Sequence, residues 1–517
     1  MDKKRGLLNV AVSIVFKIIV LVMSLLARRF LIKYTGDQVN GLNSLYVSII
    51  GFLAVAELGV GSAITFCMYK PIVNGENDKV SALYHLFTKL YLLIGAFILV
   101  AGCIIIPLLP YLIADYQNVN QNVYLTFFLM LVSVVLGYLF SSKTSLINAY
   151  KNNYITTTIH SLGMVLQYGL QIVVLICTQS FVWYLVCHII AVAVQWSATE
   201  LVARLKHKAI IKNKQKVDGD TKKQVTQNVK AMFMHKIGGV LVNTADSIII
   251  SAFIGALILG KYTNYTLIMT AMTGVLTLFF SPLTSVIGHM CVAEDTEKVK
   301  KYFNFFHTFN FIIGIIFFLG YYAVIDNVVT IWLSGEDRLL PKTISFIITL
   351  NYFIQFMRQA ALLFRDATGT FYNDRWKPLF EGLLNVALSI GFVYLFGLFD
   401  EDFAVVGVIV ATIITNLTIC HVVEPRVLFK YAFGAKAKNY YLKNYIYVAV
   451  FAAALVGLNF AMVDYSGSQW IALLINGSIA VGIAVLVGLV VVLLDRDFKH
   501  YFGILFGRIK QKLHKNK

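Results

Sequence analysis

Residues 10–24 read VAVSIVFKIIVLVMS, an apolar run with a lysine, Lys17, at its middle. A second run, KIGGVLVNTADSIII at residues 236–250, opens on Lys236, which stands 219 residues after Lys17. The register around the two lysines holds without a gap. Asn9 matches Asn228, Gly36 matches Gly255, Gly41 matches Gly260 and Tyr46 matches Tyr265. It continues through Ser62 with Ser281, Lys79 with Lys298, Phe87 with Phe306 and Gly95 with Gly314. A cation inside a bilayer costs roughly 2.5–3.5 kcal/mol on insertion scales. Two such cations at equivalent places predict a shared interior cavity that receives an anion.

The rest of the chain is of the same kind. It has 517 residues, 58% hydrophobic and 14% charged, where a soluble protein carries about 25% charged residues. Apolar runs of about 20 residues recur from end to end, each long enough to cross a hydrocarbon core of about 30 Å. Such runs must be helices, because lipid cannot solvate bare backbone groups. A barrel would need alternating apolar and polar residues, which are absent here. The fold class is therefore an all-α polytopic membrane protein. The net charge of +18 does not call for nucleic acid, because the basic residues lie in alternate loops, as positive-inside topology requires. Six cysteines (Cys67, Cys103, Cys177, Cys187, Cys291, Cys420) fall in or at the ends of apolar spans. None has a CxxC or Cys/His spacing, so neither a disulfide framework nor a metal site is expected. The opening MDKKRGLL leads into a stretch too long and too charged for a cleaved signal, and reads as a retained first helix.

The apolar runs give about fourteen helices: 8–32, 42–69, 82–109, 122–149, 154–178, 180–204, 229–254, 263–291, 304–333, 343–366, 379–399, 403–424, 443–463 and 470–494. With the N-terminus inside, the inner segments hold Lys3–Arg5, Lys70–Lys79, Lys143–Lys151, residues 205–228, Glu294–Lys301, Arg365–Lys377, Arg426–Lys443 and the tail. Acids are common in the outer segments, at Asp37, Asp115, Glu336 and Asp400–Asp402. Both ends are expected to be cytoplasmic, with the protein multi-pass in the cytoplasmic membrane. Residues 205–228 form the one long polar linker, rich in Lys, Gln and Asn, and are expected to be solvated and mobile. The expected domains are an N-lobe at 1–206, a basic linker at 207–228, a C-lobe at 229–430, two further helices within 431–495 and a basic tail at 496–517.

A second pairing, offset by 221, sets Asn152 against Asn373 and His160 against Glu381. Two parallel six-helix repeats joined by an inside linker form a transporter plan, with a central path between lobes. On the first helix, Asn9, Ser13, Lys17, Ser24 and Arg28 share one arc of about 100°. The matching stripe after Asn228 reads Met232, Lys236, Asn243 and Ser247, with His235 and Asp246 adjacent. A polar stripe on a membrane helix faces protein or water. Span 343–366 carries Asn351, Gln355, Arg358, Gln359 and Asp366. The candidate substrate-binding residues of the central cavity are thus Lys17, Ser24, Arg28, Lys236, Asn243, Gln355 and Arg358. Alternatives stay open. Arg28 and Arg29 can snorkel to the outer headgroups. Arg358 can pair internally with Glu381, Asp246 or Glu57. Glu57, Asp246 and Glu381 are candidates for ion coupling or for internal ion pairs, and for Glu57 a pair with Lys17 or Arg28 is preferred. No nucleophile elbow, Walker A loop or HExxH occurs, so no enzyme activity and no cofactor are expected.

The run RRFLIKYTGDQVNGLNSLYVSIIGFLAVAELGVGSAITFCMYKPIVNGE at 28–76 resembles the N-terminal region of bacterial polysaccharide flippases of the Wzx type. These form the polysaccharide transporter family of the multidrug/oligosaccharidyl-lipid/polysaccharide (MOP) exporter superfamily, which also holds the MATE transporters. The resemblance rests on Arg28 and Arg29, the short turn to Gly41, ELGVGSA at 57–63 and YKPIVNGE at 69–76. It implies a MATE-like pair of six-helix bundles plus two C-terminal helices, alternating access, and an undecaprenyl-diphosphate-linked oligosaccharide as cargo for capsule or exopolysaccharide synthesis. Expected partners are that substrate, membrane lipids at the basic linker and tail, and a polysaccharide polymerase with other assembly proteins. A lipid II flippase and an ion-coupled MATE-type exporter are the alternatives, and a non-transporting scaffold is the reading from another class.

Overall fold

The computed structural model describes residues 3–57, 60–213, 215, 217, 219–280, 283–465 and 467–503, and among them there are helices and no strand. The chain divides into two compact units, Met1–Gly260 and Lys261–Lys517.

The first unit holds α1 (Lys3–Thr35), α2 (Asp37–Leu53), α3 (Val60–Val73), α4 (Asn77–Ile105), α5 (Val123–Ala149), α6 (Asn153–Thr178), α7 (Phe181–Lys212) and α8 (Gly219–Phe253), with the start of α9 (Ala256–Phe280). In this unit α1 packs on α6, α7 lies against α5 and α6, and α8 packs on α2 and α3. The second unit holds the rest of α9, then α10 (Leu283–Ala293), α11 (Thr296–Leu333), α12 (Lys342–Met357), α13 (Gln359–Ala367), α14 (Lys377–Gly397), α15 (Glu401–Thr415), α16 (His421–Tyr431), α17 (Lys438–Ala461) and α18 (Gln469–Leu494).

These helices are apolar on both faces. On α4, Phe87, Tyr91, Ile94 and Ile98 are buried, while Leu93, Phe97, Val100 and Ile104 on the opposite side are exposed. On α18, Ala480, Ala484, Gly488 and Val491 face the protein, and Leu486, Leu489, Val490 and Leu493 face outward. Apolar side chains on the outward face of both helices, and on α18 small residues inside with large ones outside, match helices packed in lipid. Ten helices among the described residues are long and apolar enough to cross a bilayer. The chain is a multi-pass membrane protein.

The ten correspond to the expected spans other than 8–32, 42–69, 229–254 and 263–291, and each of these four includes residues or side chains outside those described. Three expected spans depart from a regular α-helix among the described residues. Span 42–69 breaks into α2, a tight 3-10 turn at Ala54–Glu57, and α3. Span 343–366 breaks at Arg358, whose N–H bonds the Gln355 carbonyl three residues back instead of continuing the α ladder. Between α15 and α16 lies a π-turn, Asn416–Cys420. Helix also extends into residues 205–228 from both sides: α7 kinks at His207 and ends at Lys212, and α8 begins at Gly219. Lysine and glutamine are good helix formers, and Ile210 and Val225 are buried. Ser81 on α4 donates to the Ile210 carbonyl at 2.8 Å, and Asn213 donates to Asp78 at 2.6 Å.

The 219-residue register has a physical counterpart where α2 meets the start of α9. A Cβ on Gly41 would lie 1.7 Å from the Ala256 carbonyl oxygen, and one on Gly260 would lie 2.0 Å from the Asp37 carbonyl oxygen. Asp37 matches Ala256 in the register just as Gly41 matches Gly260, so the contact maps onto itself under a local two-fold. Asn40 closes it by donating to the Gly260 carbonyl at 3.0 Å. Gly36 and Gly255, which precede the two helices, both have positive φ, at 87° and 129°, a region that glycine enters without steric cost. Gly41→Leu or Gly260→Leu is expected to cost about 1–3 kcal/mol or more by overpacking, lowering the melting temperature in detergent. Gly169→Ala, whose Cβ would meet nothing within 4 Å, is expected to leave it unchanged.

Candidate functional site

The first unit holds a half-open cavity of about 780 Å³ between α1, α5, α6 and α7. Helix α1 supplies Lys17 and Ser24, and α5 supplies Ser133 and Thr144. Helix α6 supplies Thr156, Thr157, His160, Ser161 and Gln167, and α7 supplies His188, Gln195 and Thr199. The α7 residues recur at i, i+4, i+7 and i+11 (His188, Val192, Gln195, Thr199), so one helical face lines the space. No carboxylate is among the lining residues. Lys17 is exposed at the cavity edge and has no ion pair among the described residues. Ser24, seven residues on, donates to the Leu21 carbonyl at 2.7 Å. Ser133 and His188 are bonded to each other at 3.2 Å. The arrangement is a largely apolar cavity, with Val20, Leu21, Val134, Phe140, Ile159 and Met164 in its wall, into which hydroxyls, amides and one positive charge are set. It can accept an anion beside a polyhydroxyl group, and it offers a cation nothing to pair with.

The second unit treats its charges differently. Arg358 stands at the break between α12 and α13. It donates to both oxygens of Glu424, from Nη2 at 2.5 Å and from Nε at 3.1 Å. Its third nitrogen donates to Asn416 at 2.7 Å and lies 3.5 Å from Glu381. Lys377 completes the group, with its ammonium 2.6 Å from Glu424 and 2.7 Å from Glu381. Lys377, Glu381 and Glu424 are all buried. Two cations and two carboxylates thus cancel within one cluster shared by α12, α14, α16 and the π-turn. Beside it His421 bonds the Ile354 carbonyl at 2.9 Å, and Asn444 bridges His421 and His307 at 2.8 and 3.1 Å.

No protein-family model matches the sequence, and no curated protein matches it. Solved structures do match. The lipid II flippase MurJ in an inward closed conformation aligns with a TM-score of 0.64 at 13% identity, covering 94% of this chain and 99% of that one. A multidrug resistance MATE family transporter of the MOP superfamily, in an inward-facing conformation, aligns with a TM-score of 0.56 at 14% identity, covering 85% of this chain and 98% of that one. This chain shares the fold of these two structures.

Set in that fold, the predicted site residues separate. Lys17 and Ser24 border one cavity. Arg28, one turn beyond Ser24, is not among the residues lining it; it is half-buried beside Tyr168 and Tyr184. Arg358 is a correction: its guanidinium is bound to Glu424, so it is not free to meet a substrate, and Glu381 belongs to the same cluster as an internal ion-pair partner. Glu57 is a second correction. Its carboxylate accepts from the Tyr91 hydroxyl at 2.6 Å rather than pairing with Lys17 or Arg28, because the 3-10 turn aims it at α4. Gly61 permits this approach, since a Cβ there would lie 2.7 Å from the Tyr91 hydroxyl. Gln355 donates to Asn351 within its own helix at 3.2 Å, and Asp246 is half-buried in α8. The side chains of Lys236 and Asn243 lie outside the described residues. Gln195, His188, Thr199 and Ser161 were not predicted; applying the 100° arc to spans 154–178 and 180–204 would have found them.

Removing one carboxylate from the cluster strands a buried cation, at a cost of about 3–5 kcal/mol. Glu424→Gln is therefore expected to lower the unfolding temperature of the purified protein sharply. Adding Lys377→Met is expected to recover most of the loss, because the remaining Arg358 and Glu381 balance.

Proposed function

We propose that the protein is a flippase that moves an undecaprenyl-diphosphate-linked oligosaccharide across the cytoplasmic membrane for capsule or exopolysaccharide synthesis, by alternating access. The cavity bordered by Lys17, which sets hydroxyls and amides but no carboxylate among its apolar lining residues, carries this reading. A diphosphate needs a cation in a medium of lowered dielectric, where the attraction exceeds its value in water. Sugar hydroxyls need donors and acceptors, and the serines, threonines and glutamines of α5, α6 and α7 supply them. The cavity reaches from mid-helix to the end where α5 turns into α6 at Ala149–Asn153. Lys143 and Lys151 lie at that end, and in the positive-inside reading it is the cytoplasmic end, where a lipid-linked sugar is built.

The likeness to a lipid II flippase supports a second reading, in which lipid II itself is the cargo. The MATE-type reading is weaker, because a cationic drug would find no carboxylate in this cavity.

Reconstitution in vesicles with a fluorescent undecaprenyl-diphosphate oligosaccharide and, in parallel, with lipid II decides among them. Translocation of the oligosaccharide is expected, reduced at least about tenfold by Lys17→Ala and largely retained by Lys17→Arg, since a charge–phosphate contact is worth on the order of 1.5–3 kcal/mol. Normal transport by Lys17→Ala overturns the site. Transport of lipid II alone selects the second reading.

A further inference from the structure

The cavity holds a polar group that the diphosphate contact leaves unused. Gln195 is 8% exposed, yet it lines the cavity, and its side-chain amide makes no hydrogen bond among the described residues. Its amide atoms are not sealed inside the protein; they open onto the cavity, where a ligand can reach both the donor and the acceptor. Its pose depends on one residue across the helix interface. A Cβ on Gly163 of α6 would lie 2.1 Å from the Gln195 Cγ, 2.4 Å from its Cδ and 2.3 Å from its Nε2. Glycine at 163 therefore provides the bed on which the side chain lies. The groups around it are accounted for differently. Thr199 spends its hydroxyl on the Gln195 backbone carbonyl at 2.8 Å, Thr156 donates to Asn148 at 2.6 Å, and Ser133 and His188 engage each other. Ser161 is buried, lines the same cavity, and like Gln195 has no side-chain hydrogen bond among the described residues.

We propose that Gln195, seated on Gly163, reads the uncharged sugar attached to the diphosphate, with Ser161 as a second contact. This rests on the cavity being the headgroup site. A primary amide presents a donor and an acceptor side by side. That matches the acetamido edge or paired hydroxyls of a neutral pyranose, and it neither attracts an amine nor neutralises an acidic sugar. A site built to hydrogen-bond a group discriminates strongly against the analogue that lacks it, because its own buried polar atoms are then stranded.

The test uses the full-length protein in nanodiscs and two soluble probes: farnesyl diphosphate, and the same lipid diphosphate bearing one N-acetylglucosamine. Wild type is expected to bind the sugar-bearing probe about tenfold or more tighter, the effect of one or two hydrogen bonds. Gln195→Met, which keeps the volume and removes the amide, is expected to erase that preference while leaving the affinity for farnesyl diphosphate unchanged. Gly163→Ala is expected to do the same by displacing the flexible Gln195 side chain. Lys17→Ala is expected to weaken both probes. A sugar preference that survives in Gln195→Met, or a wild type that binds both probes equally, overturns the inference and leaves the flippase reading standing. A wild type that binds neither probe overturns both.

Discussion

A charge held within a bilayer must meet either its opposite or water, and the two units of this protein take different routes. In the second unit Arg358 and Lys377 meet Glu424 and Glu381 at hydrogen-bond distance, and the sum of the four charges is zero. In the first unit Lys17 borders a cavity whose apolar wall carries hydroxyls and amides but no carboxylate. The same side-chain chemistry thus serves cohesion in one place and leaves an open valence in the other. Only the open one can act on a passing anion, because a guanidinium already bound by two carboxylate oxygens has little attraction left to offer.

The breaks in the helices follow from this constraint. An uninterrupted helix points each polar side chain where its phase dictates. The interruption at Arg358 and the turn at Ala54–Glu57 release two charged residues from that phase, and each then finds a partner on a neighbouring helix: Glu424 for Arg358, Tyr91 for Glu57. Neither break contains proline. The local backbone departs from the α ladder where side-chain electrostatics repays the lost hydrogen bond.

How far the sequence could be read depends on which signal each feature leaves. Length and apolarity mark the membrane spans, and ten of them are visible in the structure without revision of kind. Lys17 and Ser24 were legible as a pair because a charged residue on an apolar helix has a definite phase. Gln195 and Ser161 carry no charge, so neither stands out alone; only the shared helical phase of each with the other polar residues of its span marks it. Glu424 was out of reach for another reason. The phase rule assumes 3.6 residues per turn, and the π-turn upstream of it breaks that assumption. The polar stretch 205–228 misleads in the opposite sense, since residues that favour solvent also favour helix.

The π-turn at Asn416–Cys420 has a consequence for ancestry. Such a turn is what one surplus residue leaves behind when it is spliced into an α-helix. Excising a residue there would swing everything after it by about 100°, carrying Glu424 off Arg358 and Lys377. Homologues should therefore fall into two kinds: those with the extra residue and the full quartet of charges, and those one letter shorter in which the quartet has dissolved together.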